Sequence, residues 1–502
     1  MSLAIIHTRV HVGIQAQPVT VEVHLANGLP AFNIVGLPEK AVQESRERVR
    51  GAIINSQFEF PARRITVNLA PADLPKEGGG FDLPIALGIL IASEQVSAKQ
   101  LDDYEFIGEL ALSGDIRAVK GMLPVAIGCQ DSQKKLIFPQ DNQNEVSLLK
   151  QLKAYPCNHL LSATAHLNEL TPLSPVREST KKPALPFNLP DLSDIKGQPH
   201  AKRSLLIAAA GAHSLLMIGP PGSGKSMLAN RLPGIIPSMT DEQALETAAI
   251  HSISNQSFDL SHWKTPPFRA PHHSASAGAL VGGGTNPKPG EISLAHNGVL
   301  FLDELTEFGR HTLDVLREPL ENGFITLSRV AHKTQYPARF QLITAMNPCP
   351  CGYLGDKKRA CGTCTWEQIK RYQGKISGPV MDRIDLHIEV PAVPASLLRH
   401  SPSTELESPI VKEQVENIRK QQLNRSGKTN SQLNSKELAQ HAKLNNEGLN
   451  LLEQSIDKLG LSARAYHRII KVSRTIADIA QIKDIQVEHV AEAISYRKLD
   501  RQ

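Results

Sequence analysis

The spacing of apolar and polar residues divides the chain into three stretches with different periods. Residues 1 to about 170 read as mixed α/β. Ile65–Leu69 and Lys135–Phe138 are short apolar runs of strand length, Glu39–Asn55 carries the period of an amphipathic helix, and Asp82–Ser93 is apolar on all sides, as a buried helix is. From Ile195 the pattern alternates between strand and helix. Ala201–Ala210 is helical. Leu215–Ile218 is a buried strand followed by a glycine-rich loop and a helix from Lys225. Val299–Leu302 and Gln341–Ala345 are further apolar strands that end in polar residues, the end at which open parallel sheets bind ligands. Beyond about Val411 the chain is helix-forming, with a loop predicted at Arg425–Ser435. Between the first two stretches, Thr171–Pro190 holds five prolines and no apolar period, which predicts a linker. The expected organisation is therefore 1–170, a linker at 171–190, an α/β core at 191–395 and a helical domain at 396–502.

Composition changes this picture little. The chain has 502 residues, 41% hydrophobic and 21% charged, which excludes a mostly disordered or collagenous protein. Aromatics are only 4%, too few for an aromatic stacking platform. The net charge of +5 is close to neutral for this length, but it is unevenly placed. Residues 1–171 carry 15 basic and 18 acidic side chains, residues 172–400 carry 24 and 19, and the remainder 16 and 13. A polyanionic partner would meet the last two thirds. The start lacks the pattern of an export signal, and the longest apolar run, Leu83–Ala92, is too short to span a membrane. A cytoplasmic location is expected, in which the cysteines are reduced or metal-bound.

The strongest chemical signal is Gly219-Pro220-Pro221-Gly222-Ser223-Gly224-Lys225-Ser226, which fits G-x-x-x-x-G-K-[ST] between a strand and a helix. Its backbone N–H groups and helix start would cradle phosphates, Lys225 would neutralise them, and Ser226 would hold Mg²⁺. The strand Val299–Leu302 runs into Asp303 and Glu304. Asp303 would hold the Mg²⁺ hydration shell, and Glu304 would polarise the attacking water. Asn347, at the end of the next strand, is placed to position that water. Arg383 precedes an apolar run and Arg464 starts a helix. Alone, each is more often a surface or packing residue. Together they suit an ATP site completed across a subunit interface.

Two other groups stand out. Phe324–Phe340 reads as a hairpin preceded by a helix at Arg310–Glu321 and the helix stop Gly323. Arg329, His332 and Lys333 at its tip are suited to DNA phosphates, or simply to solvent. Cys349, Cys351, Cys361 and Cys364 lie within 16 residues as C-x-C-x₉-C-x₂-C and predict tetrahedral Zn²⁺, with unligated thiols or a redox pair as alternatives. The basic residues Lys357, Lys358 and Arg359 lie between them. Cys129 and Cys157 are expected in the core. The insert around Arg269–Lys288, with His272 and His273, is rich in Gly and Pro and is a second candidate, beside the hairpin, for such contacts.

In order, GPPGSGKS, GVLFLDEL, TAMNP, SGPVMDRID and LSARAYHRI resemble the magnesium-chelatase-like AAA+ ATPases. With FRAPHHSASAGALVGGG and LPEKAVQESRERVRGAI they are closer still to the ComM/YifB family of competence-related ATPases. The resemblance covers essentially the whole chain. It implies a Lon-protease-like first domain, an AAA+ core with a parallel sheet, and a helical lid. Lys225 and Ser226 then match the Walker A positions, Asp303 and Glu304 Walker B, Asn347 sensor 1, Arg383 the arginine finger and Arg464 sensor 2. It further implies ring hexamers that use ATP and Mg²⁺ to drive branch migration of recombination intermediates during natural transformation, on branched, single- or double-stranded DNA and alongside recombination proteins. A chelatase-like remodelling ATPase is the alternative. In the Lon-like stretch Gly80 stands where a nucleophilic Ser would be and Leu123 where its Lys would be, so no peptidase activity is expected.

Overall fold

The computed structural model describes residues 3–97, 99–176, 189–254, 260–284, 287–328, 333–355, 361–394 and 407–497. The interior of the expected linker, the expected boundary between core and helical domain at 396, Arg329, His332, and the basic residues 357–359 lie outside them. The chain forms two compact units, residues 1–185 with 245–263, and residues 186–244 with 264–502.

The first unit is built on a four-stranded sheet. Strands β1 (Leu3–Val12) and β2 (Gln15–Ala26) form a long antiparallel hairpin, and β3 (Ala31–Val35) and β4 (Arg64–Ala70) complete the order β1-β2-β4-β3. Val19, Val21, Val23 and Leu25 alternate inward along β2 and pack with the helix Asp82–Ala92, every residue of which is buried. A smaller parallel sheet joins β5 (Tyr104–Phe106), β6 (Lys135–Pro139) and β7 (Ala154–Cys157).

Several elements depart from the sequence pattern. The helix expected over Glu39–Asn55 is two helices, Lys40–Gln43 and Ser45–Asn55. Arg48 and Arg46 donate to the carbonyls of Ala41 and Gln43, which relieves those carbonyls of the need for helical partners. The helix expected over Arg310–Glu321 likewise divides into Arg310–Asp314 and Arg317–Asn322. The loop expected at Arg425–Ser435 starts two residues late, because the helix Ser408–Ser426 runs to a left-handed cap at Gly427, and it contains a 3₁₀ turn.

One further feature belongs to the first unit although its residues come from the middle of the α/β core. The helix Asp241–Ile253 sends Leu245, Ala248 and Ala249 into the cluster formed by Met122, Leu123, Leu136 and Phe138. Polar pairing accompanies it: Ser252 Oγ lies 2.5 Å from a carboxylate oxygen of Glu145, and the Gly121 N–H donates to Ser252 O at 3.0 Å.

The second unit contains a five-stranded parallel sheet. Its strands are β8 (Leu215–Ile218), β9 (Phe268–Arg269), β10 (Val299–Leu302), β13 (Gln341–Met346) and β14 (Leu386–Glu389), in the order β9-β10-β13-β8-β14. Strands β8, β10 and β13 are buried throughout, as a sheet covered on both faces requires. Between β10 and β13, strands β11 (Phe324–Ser328) and β12 (Lys333–Pro337) form the antiparallel hairpin. The C-terminal portion is helical, and its apolar residues, among them Ile469, Ile470, Ile476 and Val490, join the same core as Leu215, Met217 and Ile343.

Candidate nucleotide and metal sites

The loop Gly219–Gly224 leaves the C-terminal end of β8 and enters the helix Lys225–Ala229. Gly222 and Gly224 have φ of 75° and 88°, the left-handed conformation that a side chain would strain. A glycine turn that leads into a helix start is the local geometry that phosphate binding uses. Lys225 is buried and donates to the carbonyls of Gly219 (2.7 Å) and Pro220 (3.0 Å) and to Asn347 Oδ1 (3.3 Å). Burial lowers its pKa, opposed by Asp303 and Glu304. The Ser226 hydroxyl donates to Asp303 Oδ2 at 2.5 Å. Lys225, Ser226, Asp303 and Asn347 are thus brought together at the carboxyl ends of three adjacent strands, β8, β10 and β13. A hydroxyl touching a carboxylate, beside a cradle of N–H groups and a cation, is a donor set that fits Mg²⁺ and a nucleoside triphosphate.

Glu304 adopts φ 51°, and its carboxylate turns to His273, whose Nδ1 lies 3.1 Å from Oε2. His273 stacks on His272 with ring centroids 4.0 Å apart. The insert that carries them is tied to the sheet by a bidentate pair between Arg269 and Glu291, at 2.7 Å for each bond. The HH dipeptide marks these positions in the sequence, but only the fold puts one of them on Glu304. Gln198 was likewise not legible as a site residue. It adopts a left-handed conformation and donates to Ser223 O at 2.8 Å, bracing the phosphate loop from the start of the helix Pro199–Gly211.

Arg383 and Arg464 lie elsewhere. Arg383 precedes β14, whose Leu386 pairs with Leu215 at the start of β8, and its carbonyl accepts from Ser214 Oγ at 3.0 Å. The phosphate loop begins five residues after Ser214, about 16 Å along an extended strand. Arg383 is 8% exposed and pairs with Glu321, and Arg464, 58% exposed, approaches the same carboxylate at 3.8 Å. A buried network holds the two elements together. Asp385 pairs with Arg468, one turn beyond Arg464, and with His213 at 3.0 Å, while His213 Nε2 meets Thr475 Oγ1 at 2.7 Å. Burial alone would raise the Asp385 carboxyl. Arg468, His213 and Lys471 outweigh it and hold the group well below the usual carboxylate range. The two arginines therefore sit at the opposite end of the sheet from the phosphate loop of their own chain.

The four cysteines after β13 converge. Their sulfurs all lie within 4.8 Å of one another, with Cys349–Cys351 at 3.3 Å, Cys349–Cys361 at 3.7 Å and Cys351–Cys361 at 3.4 Å. Four thiolates about 2.3 Å from one tetrahedral ion are about 3.8 Å apart, so the donor set fits Zn²⁺. The crowded thiols push one another's pKa values apart: Cys351 is held down, by the Tyr353 N–H first and then by Cys349, while Cys361 is pushed up by Cys351, and Cys349 by burial. Gly352, at φ 84°, packs so closely on Pro221 of the phosphate loop that a Cβ there would lie 2.7 Å from its ring. Cys129 and Cys157 are buried, as the sequence suggests.

The positions matched to a peptidase dyad are Gly80, in a 3₁₀ turn, and Leu123, fully buried among apolar side chains. Nearby Lys76 is buried and donates to Pro71 O. In the hairpin, Lys333 opens β12 opposite Ser328.

Three family models match in chain order: subunit ChlI of Mg-chelatase over residues 21–142, magnesium chelatase subunit ChlI over 191–398, and its C-terminal part over 405–497. Competence protein ComM of Haemophilus influenzae is 53% identical over 100% of this chain and 98% of its own length. The chain belongs to the ComM/YifB family of magnesium-chelatase-like AAA+ proteins. YifB of Escherichia coli is 51% identical over 100% of the chain and 98% of its own. The magnesium-chelatase subunit ChlI of Porphyra purpurea is 22% identical over 44% of this chain and 61% of its own. No helix among the described residues is long and apolar enough to cross a membrane.

Proposed function

We propose that the protein is an ATP-hydrolysing ring motor, expected as a hexamer, that moves branched DNA during recombination and competence. The observation that carries the ATPase part is the division of the site. Lys225, Ser226, Asp303 and Asn347 meet at one end of the parallel sheet, while Arg383 and Arg464 meet at the other. One chain thus carries two half-sites facing opposite ways, and a second copy completes each, with closure into a ring leaving none unpaired.

In the shared site Lys225 exchanges its carbonyl partners for phosphate oxygens. Ser226 and Asp303 hold Mg²⁺, which supplies charge neutralisation of the β- and γ-phosphates. Glu304, released from His273, accepts hydrogen bonding from the attacking water, and Asn347 fixes that water's position. Arg383 of one copy stabilises charge developing on the γ-phosphate held by the next. Cys349, Cys351, Cys361 and Cys364 would hold Zn²⁺, which would fix the loop that packs on Pro221.

The DNA part is supported by the name of the Haemophilus relative, a competence protein, and by the hairpin that starts three residues after Glu321, with Lys333 in it. The chelatase family models favour a second reading, an ATPase that remodels a protein partner. A labelled four-way junction, incubated with protein and ATP, separates the two. Conversion to migrated products, weakened in Lys333→Ala with a shallower salt dependence of binding, is expected. Protein that hydrolyses ATP but leaves junctions intact would rule out the DNA reading.

A further inference from the structure

Glu321 is the only carboxylate that both predicted trans-acting arginines address among the described ion pairs. Arg383 donates to it directly, and Arg464 stands 3.8 Å away. It occupies the helix Arg317–Asn322, which ends at Gly323 with φ 75°, and β11 of the hairpin begins at the next residue. A second tie joins the same helix to the turn that leads to Arg383. Arg317 donates to Asp314 at 2.6 Å and to Ser377 at 3.0 Å, and the Ser377 hydroxyl donates to Asp314 at 2.9 Å. The turn Gly378–Met381 follows Ser377 immediately.

A guanidinium fork binds a carboxylate and a phosphate with the same geometry, so the two compete for it. Glu321 is half exposed, so water can replace the arginine at its carboxylate, whereas the buried Arg383 needs a new anionic partner, which a phosphate supplies. We propose that Glu321 is a positioning residue that stands in for the neighbour's γ-phosphate. While no nucleotide faces Arg383, Glu321 holds the arginine and keeps the base of the hairpin fixed. When a neighbouring triphosphate takes the arginine, Glu321 is released and the hairpin gains freedom three residues away. Force on the hairpin from DNA acts in reverse, pulling Glu321 off Arg383 and freeing the arginine for catalysis. The coupling is reciprocal because both events draw on one contact. No bond is made or broken in this exchange.

The inference rests on the proposed sharing of the ATP site, and the test separates the two. Full-length wild type, Glu321→Gln, Glu321→Asp and Arg383→Ala are compared for ring assembly by sedimentation and for ATPase rate with and without junction DNA. Glu321→Gln is expected to raise the DNA-free rate about fivefold or more at unchanged KM, and to bring the DNA-stimulated to DNA-free ratio close to one. Glu321→Asp, which keeps the charge, should lie between it and wild type. A wild-type DNA-free rate and ratio in Glu321→Gln would overturn the inference. If Arg383→Ala hydrolyses ATP normally, the shared-site reading falls first. If Arg383→Ala is inactive while Glu321→Gln behaves as wild type, only the inference falls. Should Glu321→Gln fail to assemble, hydrogen exchange of wild-type rings decides. Faster exchange in 324–337 on adding a non-hydrolysable ATP analogue is expected, and unchanged exchange there would overturn the inference.

Discussion

Replacing Lys225 with Ala removes the one cation buried in the phosphate loop. Its ammonium is held at 2.7 Å and 3.0 Å by two loop carbonyls, which the phosphates of a nucleotide would replace. Each charge-assisted hydrogen bond contributes about 1.5–3 kcal/mol, so losing two costs about 3 kcal/mol or more, or about a hundredfold or more in ATP affinity. At a concentration 100-fold above the wild-type Kd, MgATP stabilises the wild type by about 2.7 kcal/mol. The variant, with its Kd raised at least to that concentration, gains about 0.4 kcal/mol or less. For a unit of about 300 residues that is a Tm rise of about 4 °C against under about 1 °C. The rise is read within each protein, so any difference in their nucleotide-free stability cancels. Thermal melts with and without MgATP, with calorimetric titration alongside, read both quantities. A variant that keeps the full ATP-induced rise would refute the assignment of Lys225 to the phosphates.

Glu304→Gln keeps the shape of the side chain but removes the base, so it should bind MgATP with wild-type affinity while turnover falls by about 10² or more; normal turnover would remove Glu304 from the mechanism. Cys361→Ser should lower the bound zinc, measured by a chromogenic chelator after denaturation, from one ion per chain toward none, and weaken ATP binding through the loop that touches Pro221. Equal zinc in variant and wild type would exclude this cluster as its site. Asp385→Asn should cost about 3–5 kcal/mol at pH 7, since Arg468 and His213 are left without their charge partner. The folded carboxyl is depressed, so its contribution is present above the unfolded value near pH 4 and fades as the pH falls below it. The gap between variant and wild type in urea unfolding should therefore narrow in acid, and a gap that widens there would be inconsistent with this assignment.

The phosphate loop and the acidic strand end were legible because their chemistry is local. A strand, a glycine turn and a helix start are consecutive, and the residues they carry meet wherever the sheet is parallel. The four cysteines were legible for the same reason. The long β1–β2 hairpin was not anticipated, although Val19, Val21, Val23 and Leu25 alternate with polar residues and carry the period of a half-buried strand. Other features depend on distant segments meeting. The helix Asp241–Ile253 looks like part of the core in sequence, and only packing shows Ala248 and Ala249 beside Leu123. The partnership of Glu304 with His273, and of Glu321 with Arg383, each joins residues about 30 to 60 positions apart in chain segments with no shared period. Arg383 and Arg464 could be named from motifs, but their separation from the phosphate loop follows from strand register.

The division of the ATP site between two copies is tested most directly by mixing. Lys225→Ala subunits have a disabled phosphate loop and an intact Arg383, and Arg383→Ala subunits have the converse. Neither should hydrolyse ATP alone. In equal, randomly assembled mixtures about a quarter of the interfaces pair an intact loop with an intact arginine, so ATPase should recover to about a quarter of the wild-type rate per subunit. A mixture of co-assembled subunits no more active than either variant alone would contradict a site shared between neighbours.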